Sequence, residues 1–144
     1  MPSKDEVRKL LEQKLTEGDF VRMCGVQPVE ISRGKVVLSM KVTRLLTNIY
    51  RIVHGGALFT LMDTCIGFTC LTLGKRIVTL DMSTNFLKAV PEGETVTATA
   101  EVLHAGKTTI VAEANTFDSK GRLVAKATAT FFVLGNMEDI PQEW

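Results

Sequence analysis

Two features of the sequence carry groups that can do chemistry: His54-Gly55-Gly56 and Asp63. A Gly-Gly pair at the start of a helix lets another group come close to the backbone. The first turn of a helix also aims unpaired N–H groups and the positive end of its dipole outward. Together these can hold an oxyanion as it forms on a carbonyl, although the same dipeptide also simply starts helices. Asp63 lies among Leu61, Met62, Cys65 and Ile66. A carboxylate in apolar surroundings has to be partnered, protonated or at work, and a titratable group held there is a candidate base or nucleophile. The plainer alternative is a carboxylate on a partly exposed helix face.

The spacing says more than either feature. Gly55 and Asp63 are eight residues apart, which along one helix is about 12 Å. A base or nucleophile must come within about 3 Å of its target or of a bridging water. One helix cannot bring its own N-terminus and its own Asp63 to the same carbonyl, whereas two antiparallel helices across a two-fold axis can. An active site made from these groups is therefore shared between subunits, so the chain is expected to be at least a dimer.

The elements that position these groups follow from periodicity. From Gly55 to Gly74 the only charged side chain is Asp63. Eighteen or so apolar residues is the usual membrane-spanning criterion, but the threonines, glycines and central carboxylate here predict a buried central helix to about Leu73, apolar on all sides. Ahead of it, Ser3-Lys4-Asp5-Glu6 fits a capping box, and Val7, Leu10, Leu11 and Leu15 recur at helical spacing, predicting a helix over 3–17 that stops at Gly18. A short turn is expected around Phe20 to Gly25. A hairpin follows, with arms Val29 to Ile31 and Val36 to Val42 around Ser32-Arg33-Gly34. Arg44 to Val53 is an irregular connection. After the helix come strands at Arg76 to Phe86, Val96 to Val102, Thr108 to Phe117 and Leu123 to Phe131, with the tail 135–144 read as loosely ordered. A hairpin, one long apolar helix and an antiparallel meander make a single α+β domain over 1–144, the sheet wrapped around the helix. One sheet face cannot cover a helix that is apolar all round, which again calls for a second subunit.

Composition removes several function classes. The chain has 144 residues and a formal net charge of +1, with no block of like charge, so nothing favours nucleic acid or a membrane surface. Its three cysteines, Cys24, Cys65 and Cys70, are odd in number, and two lie in an apolar run; they read as reduced packing thiols in a cytoplasmic protein. The N-terminus reads as carrying no signal peptide. His54 and His104 lack the companion ligands of a zinc site, and no Gly-x-Ser-x-Gly is present for a serine triad. No metal or resident cofactor is expected.

The stretch Asn48 to Thr64 resembles the core motif of hotdog-fold thioesterases, nearest to the phenylacetyl-CoA thioesterase-like and thioesterase superfamily member groups. Their pattern is an Asn or Gln, His-Gly-Gly six residues later, and an Asp or Glu nine past the His; Asn48, His54 and Asp63 fit those offsets. Val78-Thr79-Leu80-Asp81-Met82 and the later strand order also resemble the family, from about residue 20 onward.

The resemblance implies a hotdog fold, paired subunits often assembled further into tetramers, and hydrolysis of an acyl-CoA to free acid and CoA, the CoA entering as part of the substrate. By the same resemblance the Gly55 N–H polarises the thioester carbonyl with help from Asn48. Asp63 of the neighbouring subunit activates water or attacks directly, His54 braces the loop, and Thr79 stands near the nucleophilic water. Arg51, Gly56, Asn85, Lys88, Lys107 and Thr108 are the positions implied for substrate binding. Phe59, Met62, Phe68 and Met82 are available to line an acyl pocket or to pack the core. Two other functions fit the fold: an enoyl-thioester hydratase or dehydratase, which would pair a His with a carboxylate on the acyl chain, and a non-catalytic acyl-CoA binding module.

Overall fold

The computed structural model describes residues 1–144. The capping box forms: Glu6 N–H donates to Ser3 Oγ at 3.2 Å, and Ser3 N–H donates to the Glu6 carboxylate at 2.6 Å. Helix α1 runs Lys4–Glu17 and buries Val7, Leu11 and Leu15 along one stripe. The segment read as a turn is instead a second helix, α2 (Asp19–Cys24), closed by Gly25 in the left-handed conformation at φ 76°. Six residues are too few to show a helical period.

Six antiparallel strands follow in chain order, β1 (Val26–Ser32), β2 (Lys35–Lys41), β3 (Lys75–Phe86), β4 (Thr95–Ala105), β5 (Thr109–Phe117) and β6 (Leu123–Asn136), but not as the simple meander expected after the helix: β3 pairs with β6, and β4 pairs with β2. They form one sheet in the spatial order β1-β2-β4-β5-β6-β3. Helix α3 (Gly55–Leu71) packs against every strand but β1. This is the expected α+β hotdog arrangement.

What lets a 17-residue helix lie close to the sheet is the floor beneath it. Ala98 and Ala100 of β4, Ala112 and Ala114 of β5, and Ala125, Ala127 and Ala129 of β6 are all buried. Cys65 therefore comes near enough for its thiol to meet the carbonyls of Val36 and Ala98, at 3.3 and 3.5 Å. Above that floor Leu58, Leu61, Met62 and Ile66 are fully buried, each stabilising the fold by roughly 1.5–3 kcal/mol. All three cysteines are unpaired and buried. Burial pushes the thiols of Cys65 and Cys70 up to about 12 and raises that of Cys24.

The two sheet edges differ. Edge strand β1 is short and carries Pro28 beside a register shift, devices that discourage further pairing. Edge strand β3 has 12 residues and no proline, and it exposes Val78, Leu80 and Phe86.

The tail departs from its expectation. Strand β6 continues to Asn136, and the residues beyond it dock. Ile140 is 2% exposed, Asp139 pairs with Lys14 at 2.7 Å, and the Trp144 indole N–H donates to the Thr72 carbonyl at 2.7 Å, just past the end of α3. Isolated Ile and Trp residues in a polar stretch show no period, so nothing in the pattern announced this anchorage. No helix is long and apolar enough to cross a membrane.

Candidate active site

The loop before α3 is built around two side chains. Asn48 Oδ1 accepts from the N–H groups of Tyr50 (2.9 Å) and Ile52 (3.4 Å), folding residues 48–52 into a tight turn in which Arg51 takes the left-handed conformation at φ 59°. Non-glycine residues rarely adopt that region, and when they do the surroundings must enforce it. His54 is the N-cap of α3: its Nδ1 accepts from the Gly56 N–H at 2.8 Å, so Nδ1 is the ring nitrogen without a proton. The His54 carbonyl takes the N–H groups of Ala57 and Leu58. That leaves the Gly55 N–H as the donor of the first turn with no acceptor in the chain. Gly55 lines a cavity of about 360 Å³ together with Ile52, Leu58, Phe86, Leu87 and Lys88 among others. The Phe86 ring lies so close that a Cβ on Gly55 would stand 3.4 Å from it.

Asp63 is not sunk in apolar surroundings. Helix α3 leaves one face open on which Gly56, Thr60, Asp63, Thr64 and Gly67 follow one another, all exposed or half-exposed. The helix is thus not apolar on all sides, and the half-exposed alternative is the one observed. The Thr79 hydroxyl donates to Asp63 Oδ1 at 3.1 Å, which fixes the carboxylate and leaves Oδ2 free. Thr79 reaches it because of a bulge. It pairs with Phe131 and Asp81 pairs with Thr130, so Leu80 is the extra residue. The bulge lets Thr79 face the helix while Met82 and Thr84 farther along keep their inward alternation, an example of a bulge re-aiming a side chain. Asp63 and Thr79 border a second cavity, of about 300 Å³, walled by Val21, Phe68, Leu71, Ile77 and Phe131. Gly55 does not line this cavity, and Asp63 does not line the first. Within one chain these two candidate groups stay apart.

The sequence model of the thioesterase superfamily matches residues 50–125, which include both groups. The chain belongs to the thioesterase superfamily. It is 34% identical to the acyl-coenzyme A thioesterase PaaI of Escherichia coli K12 over 70% of its own length and 72% of that protein's. The solved E. coli PaaI protein of the phenylacetic acid degradation operon superposes with a TM-score of 0.86 at 28% identity, covering 94% of this chain and 99% of that one. A hypothetical thioesterase of Streptococcus pneumoniae TIGR4, solved with coenzyme A, is 38% identical with a TM-score of 0.77 over 78% of this chain and 91% of its own. That protein has also been solved with a Thr and, separately, an Asp replaced by Ala; in its chain those positions are separated by 16 residues, as Asp63 and Thr79 are here. This thioesterase is a thioester hydrolase with the hotdog fold.

The other residues named from the sequence divide into groups. Asn48, Arg51, His54 and Gly56 stand with Gly55 around the first cavity's loop, though the Gly56 N–H is already committed to His54. The exposed Arg51 guanidinium lies 4.0 Å from the Glu92 carboxylate. Lys88 lines the Gly55 cavity, and Asn85 is exposed at the same end of β3. Lys107 and Thr108 lie in the β4–β5 turn, beside the residues that pair with the start of β3. Measured along β3, that is roughly 25 Å from Asn85 at the usual rise per strand residue. One chain does not bring these lysines together.

Of Phe59, Met62, Phe68 and Met82, only Phe68 lines the cavity beside Asp63. Met62 is core, Met82 is half-buried under the sheet, and Phe59 stands exposed on α3. Sequence reasoning missed Val21, because α2 looked like a turn, and it missed Leu71, Ile77 and Phe131, whose apolar character alone could not separate wall from core. No three His, Cys, Asp or Glu side chains converge as a metal site.

Proposed function

We propose that this thioesterase hydrolyses acyl-CoA thioesters in an active site made by two chains, with the Gly55 N–H of one and the Asp63 carboxylate of the other acting on the same thioester carbon. The observation that carries the reading is the free Gly55 N–H at the start of α3, eight residues from a Thr79-fixed carboxylate on the same helix. The separation forbids the two from meeting within a chain. The exposed apolar edge of β3 and the stretch of α3's open face from Gly56 to Asp63 supply a surface that a second copy would cover. Antiparallel pairing of two α3 helices sets Gly55 opposite the partner subunit's Asp63. It also carries the partner subunit's Lys107 toward the end where Lys88 stands, so that cations from both chains can meet the CoA phosphates as point charges.

In this reading the Gly55 N–H, at the positive end of the helix, stabilises the oxyanion. Asn48 holds the loop and keeps its amide N–H₂ free to donate. Asp63 either removes a proton from the attacking water or attacks the carbonyl itself. The acid named for E. coli PaaI and the CoA seen with the S. pneumoniae protein belong to those proteins; they support CoA thioesters as the substrate class. A cytoplasmic location fits three unpaired thiols.

Incubating the protein with acyl-CoAs and a thiol reagent tests this directly. The protein's own thiols are buried with raised pKa values, so released CoA dominates the signal. Steady CoA release is expected. Hydration of an enoyl-CoA without CoA release would identify a hydratase, and tight binding with no turnover a binding module.

Gly55→Val tests the oxyanion donor. A Cβ there already meets the Phe86 ring at 3.4 Å, and two further methyls crowd the space in front of the N–H. Turnover is expected to fall about tenfold or more with the fold kept, since loss of an oxyanion donor typically costs more than that. A folded, fully active Gly55→Val protein would place the thioester elsewhere.

A further inference from the structure

Gly67 has no structural reason to be glycine in this chain. It sits inside α3, where glycine is destabilising relative to alanine. Its φ is not in the left-handed region, and a Cβ built on it meets nothing within 4 Å. It lies one helical turn after Asp63, and residues four apart stack on one helix face. That face borders the cavity of about 300 Å³ that Asp63 and Thr79 share. Beyond Gly67 on the same line is Leu71. Phe68, Ile77 and Phe131 make the remaining walls together with Val21 from α2, and no charged side chain other than Asp63 touches the space.

We propose that Gly67 sets the size of the acyl group this enzyme accepts, by keeping a groove open along α3 from Asp63 toward Leu71 for an apolar acyl chain. The inference rests on the hydrolase reading for its substrate class. With the reacting carbon held at Asp63, the first carbons of the acyl chain pass over the bare backbone of residue 67, and later ones meet Leu71, Phe68 and Val21. A side chain at 67 would occupy that path. The polar part of the substrate has no place here, since the walls offer it no charge partner.

The test compares wild type with Gly67→Ala and Gly67→Leu over saturated acyl-CoAs from acetyl to palmitoyl and an arylacetyl-CoA. The readout is the ratio of kcat/KM for each longer acyl group to that for acetyl-CoA, with the oligomeric state followed by gel filtration. Alanine is expected to favour the helix, so folding is not the obstacle. The ratio is expected to fall a few-fold in Gly67→Ala and at least about tenfold in Gly67→Leu, the scale on which apolar pockets discriminate. A uniform loss at every chain length, with altered oligomeric state, would show that Gly67 instead seats a second copy of the helix, and would overturn the proposal. So would an unchanged profile in Gly67→Leu. If wild type hydrolyses none of the thioesters, the hydrolase reading falls and the groove is judged by binding of non-hydrolysable acyl-CoA thioethers. Affinity should rise with chain length in wild type and level off in Gly67→Leu; equal chain-length dependence in both would sink the groove.

Discussion

Replacing Asp63 with Asn is expected to lower turnover at least about a hundredfold, the scale on which a positioned base or nucleophile contributes, while leaving the protein folded. The substitution isolates the chemistry because so little else changes. Asn has the same shape, and its Oδ1 still accepts the Thr79 hydroxyl that holds the carboxylate at 3.1 Å. Asp63 is half-exposed and makes no ion pair, so no buried charge is orphaned. What is lost is the negative charge of the carboxylate, whose Oδ2 has no partner in the chain. Both versions of the mechanism need that charge, whether to take a proton from water or to attack the thioester. CoA release measured under saturating acyl-CoA, with thermal unfolding as the control for the fold, decides the matter. A folded Asp63→Asn protein turning over at near wild-type rates would remove Asp63 from the chemistry.

Residue types and offsets singled out the two candidate groups, the Gly55 N–H and Asp63, but the geometry between them was legible only in part. The eight-residue step from Gly55 to Asp63 fixed their separation as soon as α3 was recognised as one helix, because helical rise is nearly invariant. For His54 the resemblance implied only that it braces the loop; that it caps α3, its Nδ1 accepting from the Gly56 N–H, is a finding of the structure. Thr79 is different. Counting back by twos from Met82 and Thr84 would aim Leu80 at the helix and Thr79 away from it; the bulge at Leu80 reverses this. A bulge of one residue leaves no mark in a strand of alternating types, so the contact to Asp63 is a tertiary fact. The open face of α3 was hidden for a related reason. Glycine and threonine count as neither polar nor strongly apolar, so Gly56, Thr60, Thr64 and Gly67 read as part of a continuous apolar run although they share one side. The docked tail and α2 were invisible because too few residues carry each contact. Burial of the alanine floor, by contrast, was written plainly in the alternation of β4 and β6.

The strongest expected effect is a recovery. Asn48→Ala removes the acceptor that ties Tyr50 and Ile52 into the turn and, with it, the support for the strained Arg51 and the amide proposed to help hold the carbonyl. Asp63→Asn removes the carboxylate. Each protein alone should retain about 1% of wild-type turnover or less, on the scale of such lesions. If each site takes its loop from one chain and its carboxylate from the other, a mixed dimer has one site with both lesions and one with neither. Random pairing after joint unfolding and refolding makes about half the dimers mixed, each with one intact site of two, so about a quarter of wild-type activity should return from two nearly inactive proteins. A site contained in one chain predicts none, because every chain carries a lesion in its own site whatever it pairs with. The measurement is CoA release from refolded mixtures in which mixed dimers have been verified by mass spectrometry of differently tagged chains. Mixed dimers without recovered activity would show that Asp63 meets its substrate within its own chain. The 12 Å gap along α3 would then have to be bridged by a movement of the 48–52 loop rather than by a second subunit.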